Sequence, residues 1–315
     1  MFFGITKLIL LSVLLLSVAG RLGGLSQYAE LASHFKVQYL IVSAVCLLSC
    51  VFYREPIWTF ASALCMAINF AAVAPCYIRG NKMTSNRDGR RLIKLILANV
   101  NHENTAHETF IAFARKHAPD VLVVQEVTEV WRESLQALRN LYPFCVELPK
   151  DYGSGMALYS RFQFERLTVA FPEGDARPVI LARIDIGDAT ISLLSLHPRT
   201  PIQRARFKLR NEMFATAADC LGNLPEPKIC VGDLNITPWS PYYRSFVDRT
   251  KMVNVRKGFR LLPSWPTFLY FKWLMIPLDH CLVSEDIHIA DVKTGETIGS
   301  DHLPLIVELE LEVER

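Results

Sequence analysis

Acidic, amide and imidazole side chains lie at the ends of the apolar runs in this sequence, or interrupt them. They are Asn99, Asn101, Gln125, Glu126, His197, Asp233, Asn235, Asp279, His280, Ser300, Asp301 and His302. One such residue alone is more commonly a turn former, a helix cap or a buried structural histidine. Because polar residues at the ends of neighbouring strands lie close together, the whole set predicts one shared site.

These residues lie in motifs that resemble those of the endonuclease/exonuclease/phosphatase superfamily, the deoxyribonuclease-I-like metallo-phosphoesterases. The motifs are "ANVN" (98–101), "PDVLVVQEV" (119–127), "SLHPRTP" (195–201), "VGDLNITPWS" (231–240), "LDHCLVS" (278–284) and "GSDHLPLIVEL" (299–309). Together they cover about residues 90–312, and the apolar segments before them look like a bacterial membrane-attached branch of the superfamily. The resemblance implies an α/β fold, a four-layer α/β/β/α sandwich of two mixed sheets, and a divalent-metal phosphoester hydrolase.

The same resemblance suggests a metal site. Hydrolysis of a phosphoester requires neutralisation of charge, an activated in-line water and protonation of the leaving oxygen. Glu126 is expected to bind the metal, supported by Asn99 and Asp301, because hard oxygen ligands suit Mg²⁺ or Mn²⁺. The sequence has no cysteine and histidine set with the spacing of a zinc site.

The remaining polar residues are expected to act on the phosphate and the water. His302 is the expected base or phosphate-polarising imidazole, with Asp279 fixing its tautomer. Asp233 is expected to orient or deprotonate the water, Asn235 to donate to phosphoryl oxygens, and His197 to donate to the phosphate or the leaving group. Either a metal-binding or a supporting role is open for Gln125 and Asn101, and no role is assigned to His280.

The elements that must position these residues follow from residue periodicity. Apolar runs predict eight strands, within residues 92–100, 120–127, 155–160, 178–185, 189–197, 228–235, 276–284 and 304–312. Helical patterns fall within residues 106–118, 129–140 and 202–221. Two strands separated by a helix, a run of strands and then mixed elements favour an α/β sandwich over a doubly wound sheet.

The first quarter of the chain explains a mean hydropathy of +0.21, which is high for a uniformly soluble protein. Residues 2–20, 37–53 and 56–78 are apolar segments near the roughly 20 residues needed to span a bilayer. A cleaved signal peptide followed by a helical hairpin is the alternative. The expected organisation is a three-helix transmembrane anchor (1–79), a basic linker (80–91) and a catalytic domain (92–315).

The substrate is less closely defined by the sequence. Only four of the 34 cations and two of the 31 anions precede residue 79, so the polar part is nearly neutral and bulk charge does not indicate nucleic-acid binding. A membrane-bound phosphoesterase acting on a phosphorylated small molecule or a lipid-linked substrate is favoured. A nuclease is the alternative, supported by basic residues at 199–210 and 249–260, and a catalytically inactive phosphate-binding module is the third possibility.

The expected partners are the lipid bilayer and the substrate, with nucleic acid as an alternative and no obligate protein partner. The apolar run at 265–277 is either a buried strand or a surface that enters lipid beside the site. The chain is expected to be a multi-pass protein of the inner, or cytoplasmic, membrane. An N-terminus inside the cell would place the catalytic domain outside the cytoplasm, although the basic residues after residue 78 favour the opposite orientation.

Overall fold

The computed structural model describes residues 2–78, 90–187, 189–269 and 271–312. Its first part contains four helices, α1 (Phe2–Ala19), α2 (Gln27–Leu31), α3 (Lys36–Phe52) and α4 (Pro56–Val73). Short 3-10 turns at Gly20–Leu22, Ala32–Phe35 and Ala74–Cys76 extend or connect them. Three segments, Phe3–Leu22, Gln27–Phe52 and Pro56–Cys76, are long and apolar enough to cross a membrane. The prediction of three such helices is confirmed.

The three long helices pack against one another as a bundle. Leu10 of α1 is buried in one cluster with Cys46 of α3 and Cys65 of α4. A buried polar contact also crosses the bundle, where Asn69 Nδ2 donates to Ser17 Oγ at 2.9 Å. Helix α1 is therefore an integral part of this N-terminal bundle, since both its apolar and its polar contacts are made with the other two long helices.

The second part consists of strands interspersed with helices. In chain order they are β1 (Arg90–Asn99), α5 (His107–His117), β2 (Val121–Gln125), α6 (Glu129–Leu135), β3 (Phe144–Leu148), β4 (Met156–Ser160), β5 (Gln163–Ala170), β6 (Val179–Asp185), β7 (Thr190–Leu196), α7 (Arg204–Gly222), β8 (Lys228–Asp233), α8 (Pro241–Thr250), β9 (Val253–Asn254), β10 (Asp279–Val283), β11 (His288–Thr294) and β12 (Leu305–Glu312). Short 3-10 turns lie at Gln136–Leu138 and Lys272–Leu274.

The strands form two mixed six-stranded sheets. Their orders are β11-β12-β1-β2-β4-β3 and β5-β6-β7-β8-β10-β9. Within each sheet one central pair is parallel, β1 with β2 and β7 with β8, and the other neighbours are antiparallel.

Successive side chains of each strand point to opposite faces of its sheet, and this alternation separates the core into layers. On β1, Leu95 and Leu97 belong to the core between the two sheets, whereas Ile96 and Ala98 belong to the core beneath α5 and α6. On the other sheet, Leu194 and Leu196 of β7 pack under α7 and α8. The chain is therefore an α/β/β/α sandwich, as predicted.

The strands that the sequence did not predict are all at sheet edges. All eight predicted strands are present, and the four additional strands, β3, β5, β9 and β11, end the two sheets. The predicted linker lies outside the described residues except for Arg90 and Arg91, which begin β1. The run at 265–277 is an irregular segment with one isolated bridge, between Trp265 and Ile276, so the buried-strand alternative is wrong for its described residues.

The N-terminal bundle and the α/β sandwich share contacts at α2, at the end of α4 and at the start of α3. Trp239 Nε1 donates to Ala72 O at 3.0 Å, and Trp239 is buried in one cluster with Val73 of α4. Gln27 Nε2 also donates to Ile202 O at 3.0 Å. The connecting segment between α1 and α3 therefore packs on the α/β sandwich.

A buried ion pair crosses the same boundary. Arg210 Nη1 lies 3.2 Å from Glu30 Oε1, and neither side chain is exposed to solvent. Ser240 Oγ donates to the same carboxylate oxygen at 2.7 Å. Nearby, His34 Nδ1 and Thr237 Oγ1 are hydrogen-bonded at 2.9 Å. The anchor therefore supplies buried polar partners to the segment that carries the "VGDLNITPWS" motif.

Candidate active site

The candidate site lies where central strands of the two sheets end on the same side of the sandwich. Asn99 is paired with Gln125 at the end of the parallel strands β1 and β2. In the other sheet, Asp233 at the end of β8 is paired with Asp279 at the start of the antiparallel β10. Asn99 Nδ2 donates to Asp233 Oδ2 at 3.2 Å, so the two sheets meet directly at this edge.

Gln125 fixes the relative position of the sheets beneath the site. Its Oε1 accepts a hydrogen bond from Asp233 N at 2.7 Å, and its Nε2 donates to Leu196 O at 3.0 Å. The close approach also needs a glycine, because a Cβ on Gly232 would lie 1.9 Å from Leu196 O. Gln125 is fully buried, which favours a supporting role over contact with a metal or a substrate.

His302 and Asp279 form a buried pair. His302 Nδ1 donates to Asp279 Oδ2 at 2.8 Å, and His302 Nε2 lies 3.6 Å from Asp233 Oδ2. Burial alone would lower the pKa of His302, but the carboxylates of Asp279 and Asp233 outweigh it and raise that pKa to about 10. The imidazole is therefore held as a cation, with Nδ1 hydrogen-bonded to Asp279 and Nε2 facing the Asp233 carboxylate.

Asp233 connects the two histidines of the site. His197 Nε2 lies 3.5 Å from the same Oδ2 that faces His302. Burial would raise the pKa of Asp233, but His302 and His197 lower it, so the pKa stays well below its usual range. Asn235 follows closely, with its backbone N donating to Asp233 Oδ1 at 2.9 Å and its Nδ2 donating to Pro198 O at 2.9 Å.

Glu126 lies at the other side of this cluster. Its Oε1 accepts from Asn99 Nδ2 at 3.0 Å, and its Oε2 accepts from His102 Nδ1 at 2.8 Å. Burial would raise the pKa of Glu126, but His197 and the bonds from His102 and Asn99 lower it overall. Its carboxylate is 19% exposed, compared with 2% for Asp233, so it is the more accessible charge.

Residues with an unusual backbone conformation also cluster at this site. Asn101, Glu126 and Asn235 all have positive φ, at 57°, 66° and 50°, and such conformations in residues other than glycine cluster at functional sites. Gly153 closes over Glu126, since a Cβ there would lie 2.8 Å from Glu126 Oε2.

The carboxylate of Glu126 fits the expected Mg²⁺ or Mn²⁺ better than the deeper cluster does. Asn99 turns its Nδ2 to this carboxylate, and its Oδ1 accepts a hydrogen bond from Asn101 N at 3.0 Å. Asp233, Asp279 and His302 do present potential ligand atoms within 4.8 Å of one another. However, His302 uses its Nδ1 to bond Asp279, and a protonated imidazole has no lone pair for a cation. The half-buried carboxylate of Glu126 is therefore the better candidate for a metal ligand, with Asn99 beside it.

Asp301 is held by neighbours of its own. Its Oδ1 accepts from Asn101 Nδ2 at 2.9 Å, and its Oδ2 accepts from Trp265 Nε1 at 3.0 Å. Within the described residues, no hydrogen bond links Asp301 to Glu126. The structure thus places Asp301 beside the site, supported by Asn101 and joined to the irregular segment at 265–277.

His280 lies outside the catalytic cluster. It is fully buried, and its Nε2 donates to Ile236 O at 2.8 Å. Burial, followed by the nearby charge of Arg256, lowers the pKa of His280 to about 3. The ring is therefore neutral and supports the backbone that follows Asn235.

Two residues of the site were not predicted from the sequence. His102 contacts Glu126 as described, and Arg177 donates from Nη1 to His197 O at 3.1 Å. The charge of Arg177 acts on both Glu126 and Asp233, and its Nε is buried without a hydrogen-bond partner among the described residues. The only signal for His102 was its position after "ANVN", and Arg177 lies in a loop with no strand-end pattern.

The fold and the strand-end cluster define a two-sheet α/β sandwich with an acid, amide and imidazole site. The sequence profile described as the Endonuclease/Exonuclease/phosphatase family matches residues 96–302, which include every candidate site residue. The chain belongs to this family. No curated protein sequence matches the chain.

Solved structures with the same fold include several family members. A humanized D. rerio TDP2 matches with a TM-score of 0.58 at 15% identity, covering 69% of this chain and 98% of that chain. A truncated Caenorhabditis elegans TDP2 has a TM-score of 0.57 at 17% identity, with coverages of 69% and 97%. An endonuclease/exonuclease/phosphatase family protein from Bacteroides thetaiotaomicron gives 0.56 at 17% identity, with coverages of 71% and 99%. At these identities the likeness establishes the fold.

Proposed function

We propose that this protein is a membrane-anchored, divalent-metal-dependent phosphoester hydrolase that acts on phosphate groups presented at the bilayer surface. The observation that carries the proposal is the convergence of Glu126, Asp233 and the His302–Asp279 pair at one edge of both sheets. The cluster combines charge, proton donors and an oriented carboxylate, which are the groups that phosphoester hydrolysis requires.

Each residue has a role that follows from its geometry. A divalent cation held by Glu126, beside Asn99, would neutralise charge on the phosphoryl group. The low pKa of Asp233 keeps it a carboxylate, so it accepts a hydrogen bond from the attacking water and orients it. The raised pKa of His302 favours donation to a phosphoryl oxygen over the role of base, while Asp279 holds the ring in place.

Three further groups complete the proposed phosphate site. Arg177 brings a positive charge with an unpartnered Nε, which suits a phosphoryl oxygen. His197 lies beside Asp233 and is proposed to donate to the leaving oxygen. Asn235 uses one amide hydrogen on Pro198 O, and its other hydrogen is available for the phosphate.

The segment at 265–277 supports a substrate at the membrane surface. Phe268, Phe271 and Trp273 expose 67%, 59% and 48% of their surface. Such aromatic side chains favour the interface between lipid and water. Gln38, near the start of α3, donates from Nε2 to Trp273 O at 3.0 Å, so the aromatic residues lie beside an anchor helix.

The other end of that segment reaches the active site. Trp265 bonds Asp301 as described above, and Thr267 Oγ1 donates to Ser300 O at 2.7 Å. The indole of Trp265 also lies 6.4 Å from the His302 ring, between centroids. One continuous segment therefore connects the proposed lipid-facing aromatics to the catalytic pair, which favours a lipid-linked phosphoester.

Several of the basic residues that favoured a nuclease form ion pairs or hydrogen bonds within the protein. Arg199 pairs with Asp175 at 2.9 Å, Arg210 with Glu30 at 3.2 Å, and Arg256 is buried with its guanidinium bonded to Leu262 O. They are not available to form a continuous phosphate-binding surface, so the nuclease becomes the less favoured alternative. One D. rerio TDP2 structure contains a single strand DNA product, and this keeps nucleic acid among the substrates to test.

Hydrolysis by the purified full-length protein tests the proposal. Phosphatidylglycerol vesicles, a soluble nitrophenyl phosphodiester and plasmid DNA would be compared with Mg²⁺ and with a chelator. We expect metal-dependent hydrolysis of the lipid and of the soluble diester, with loss of both in His302→Ala but not in the control His288→Ala on β11. Faster cleavage of plasmid DNA than of lipid would support the nuclease, and no hydrolysis of any substrate would support an inactive module.

A second comparison tests the aromatic surface separately. The double variant Phe268→Ser/Phe271→Ser should hydrolyse the vesicle substrate at least about tenfold more slowly and the soluble diester at the parent rate. The control Leu92→Ser/Val130→Ser removes two other exposed apolar side chains and should leave both rates unchanged. Equal losses on both substrates would show that the segment supports the site and does not bind lipid.

We further propose that the catalytic domain lies outside the cytoplasm, with the N-terminus inside. Lys7 lies 3.7 Å from Glu55 at the end of the bundle away from the sandwich, and Arg54 directly precedes Glu55 in the sequence. Lys7 and Arg54 therefore lie at the end of the bundle that the proposal places in the cytoplasm. Paired fusions of periplasm-active and cytoplasm-active reporters to the C-terminus would test the orientation. Activity of the cytoplasmic reporter alone would contradict it.

A further inference from the structure

A cavity of about 590 Å³ lies between the anchor and the catalytic sandwich, away from the catalytic cluster. Its walls come from the end of α1, the start of α3, the last turns of α4, the "ITPWS" segment and α8, with residues 254–257. None of the candidate catalytic residues lines it. The cavity is therefore a feature separate from the active site.

The polar lining of the cavity carries charge of one sign. Five lining residues are cations, and no described lining residue is Asp or Glu: the cations are Arg21, Lys36, Arg244, Arg256 and Lys257. Three of them, Arg21, Arg244 and Lys257, have exposed side chains that form no ion pair with a carboxylate in the described parts of the chain. An uncompensated set of cations in a concave site attracts an anion.

Lys36 fixes the inner end of this cluster. Its side chain is buried, and its Nζ donates to Ser17 O at 3.1 Å, which leaves further N–H donors on the ammonium. The charges of Arg21 and Arg244 both act on it. An anion in the cavity would offset the repulsion between this buried lysine and the two arginines.

One wall of the cavity is apolar and belongs to a proposed membrane span. Ile68, Ala71 and Pro75 line it from α4 and the 3-10 turn that follows. This wall lies at the sandwich end of the span Pro56–Cys76, the level at which lipid headgroups meet acyl chains. A ligand that fits both walls carries an anionic group joined to a hydrocarbon chain.

We propose that this cavity binds the phosphate headgroup of an anionic membrane lipid, with the acyl chains lying along α4. Positive side chains close to the membrane surface recognise such lipids. The exposed arginines and lysine contact the headgroup, and Lys36 meets its phosphate from within. The inference rests on the anchor lying in a bilayer and is independent of the hydrolytic activity.

Lipid retention by the full-length protein tests this site. The protein is reconstituted in phosphatidylcholine with or without phosphatidylglycerol, transferred to detergent, and retained lipid is counted by native mass spectrometry. The parent should retain phosphatidylglycerol in preference to phosphatidylcholine. The variant Arg21→Gln/Arg244→Gln/Lys257→Gln should bind phosphatidylglycerol on the order of a hundredfold more weakly. Each of the three cations near the membrane surface is expected to contribute about fivefold to the affinity.

The control Arg204→Gln/Arg206→Gln/Lys208→Gln removes three exposed cations from the first turns of α7, whose preceding loop also contacts the anchor. It should retain phosphatidylglycerol as the parent does. Equal retention by the two triple variants would overturn the proposed site, as would equal retention of both lipids by the parent.

Inorganic phosphate distinguishes a lipid from a soluble anion. Added to phosphatidylcholine samples, it should raise the melting temperature of the parent much less than phosphatidylglycerol does. Equal stabilisation by phosphate would overturn the lipid assignment. Hydrolysis of the soluble diester should be unchanged in the cavity variant, and this result would show that the variant is folded. Because retention and hydrolysis are measured separately, the lipid site and the catalytic proposal can fail independently.

Discussion

Removal of Glu30 should destabilise the α/β sandwich, although Glu30 lies in the segment that connects α1 and α3 of the N-terminal bundle. Arg210 and Glu30 are both fully buried and 3.2 Å apart. Glu30→Ala leaves the guanidinium without its countercharge, and removal of one partner of a buried pair costs about 3–5 kcal/mol. That is a large part of the roughly 5–15 kcal/mol by which domains are stable, and it corresponds to a fall of roughly 6 to 20 °C in melting temperature.

The assay is thermal unfolding of the full-length protein in one detergent, followed by tryptophan fluorescence. A double-mutant cycle combines Glu30→Ala with Arg210→Met, and the double variant should be less destabilised than the sum of the single variants. Lys208→Met and Glu212→Ala provide the matched control, because this exposed pair on the same helix is 3.5 Å apart and should contribute less than about 0.5 kcal/mol. A Glu30→Ala variant within about 1 kcal/mol of the parent, or strictly additive losses, would refute the reasoning.

Three further predictions concern single sites. Glu126→Ala should abolish metal-dependent hydrolysis without unfolding the protein, and unchanged Mg²⁺ or Mn²⁺ affinity by calorimetry would remove Glu126 from the metal site. His302→Ala should lower kcat by about 10²- to 10⁴-fold, and Asp279→Ala added to it should cost little more; multiplicative losses would indicate separate roles. Because the pKa of His280 falls from 6.5 to about 3 on folding, the unfolded chain binds more protons between those values, and stability is lost as pH falls below 6.5, by about 2 kcal/mol at pH 5. His280→Gln should remove this component of the pH dependence in melting experiments; an unchanged slope would mean that the imidazole titrates normally.

The strands that the sequence revealed are those surrounded by other strands. A central strand is covered on both faces and reads as a continuous apolar run, as in Val121–Gln125, where every residue is buried. An edge strand such as Gln163–Ala170 has mostly exposed or half-buried residues. Its composition resembles that of a polar loop, and it is a strand only because it pairs with its neighbour in the sheet. Tertiary pairing is not visible in a local pattern.

The site was predictable to the extent that its residues mark strand ends. Asn99, Glu126 and Asp233 each end or follow a central strand, and the structure brings them together. Arg177 and the anchor residue Glu30 follow no such rule. Their partners lie far away in the sequence, and a lone charge in a loop or short helix is usually a solvated one. Arg210 illustrates the same limit, since a surface-like basic residue proves to be buried.

The ion pair between Glu30 and Arg210 also sets an order of events during biosynthesis. The two residues are 180 positions apart, so at roughly 5–20 residues per second the ribosome makes Arg210 about 9 to 36 s after Glu30. During that interval α1, α3 and α4 can pack against one another, but Glu30 in the connecting segment still lacks the Arg210 guanidinium. Until the sandwich closes on it, that carboxylate depends on water for its hydrogen bonds. Packing of the connecting segment is thus completed only when the sandwich folds, and truncations that end before α7 should leave Glu30 without its ion-pair partner.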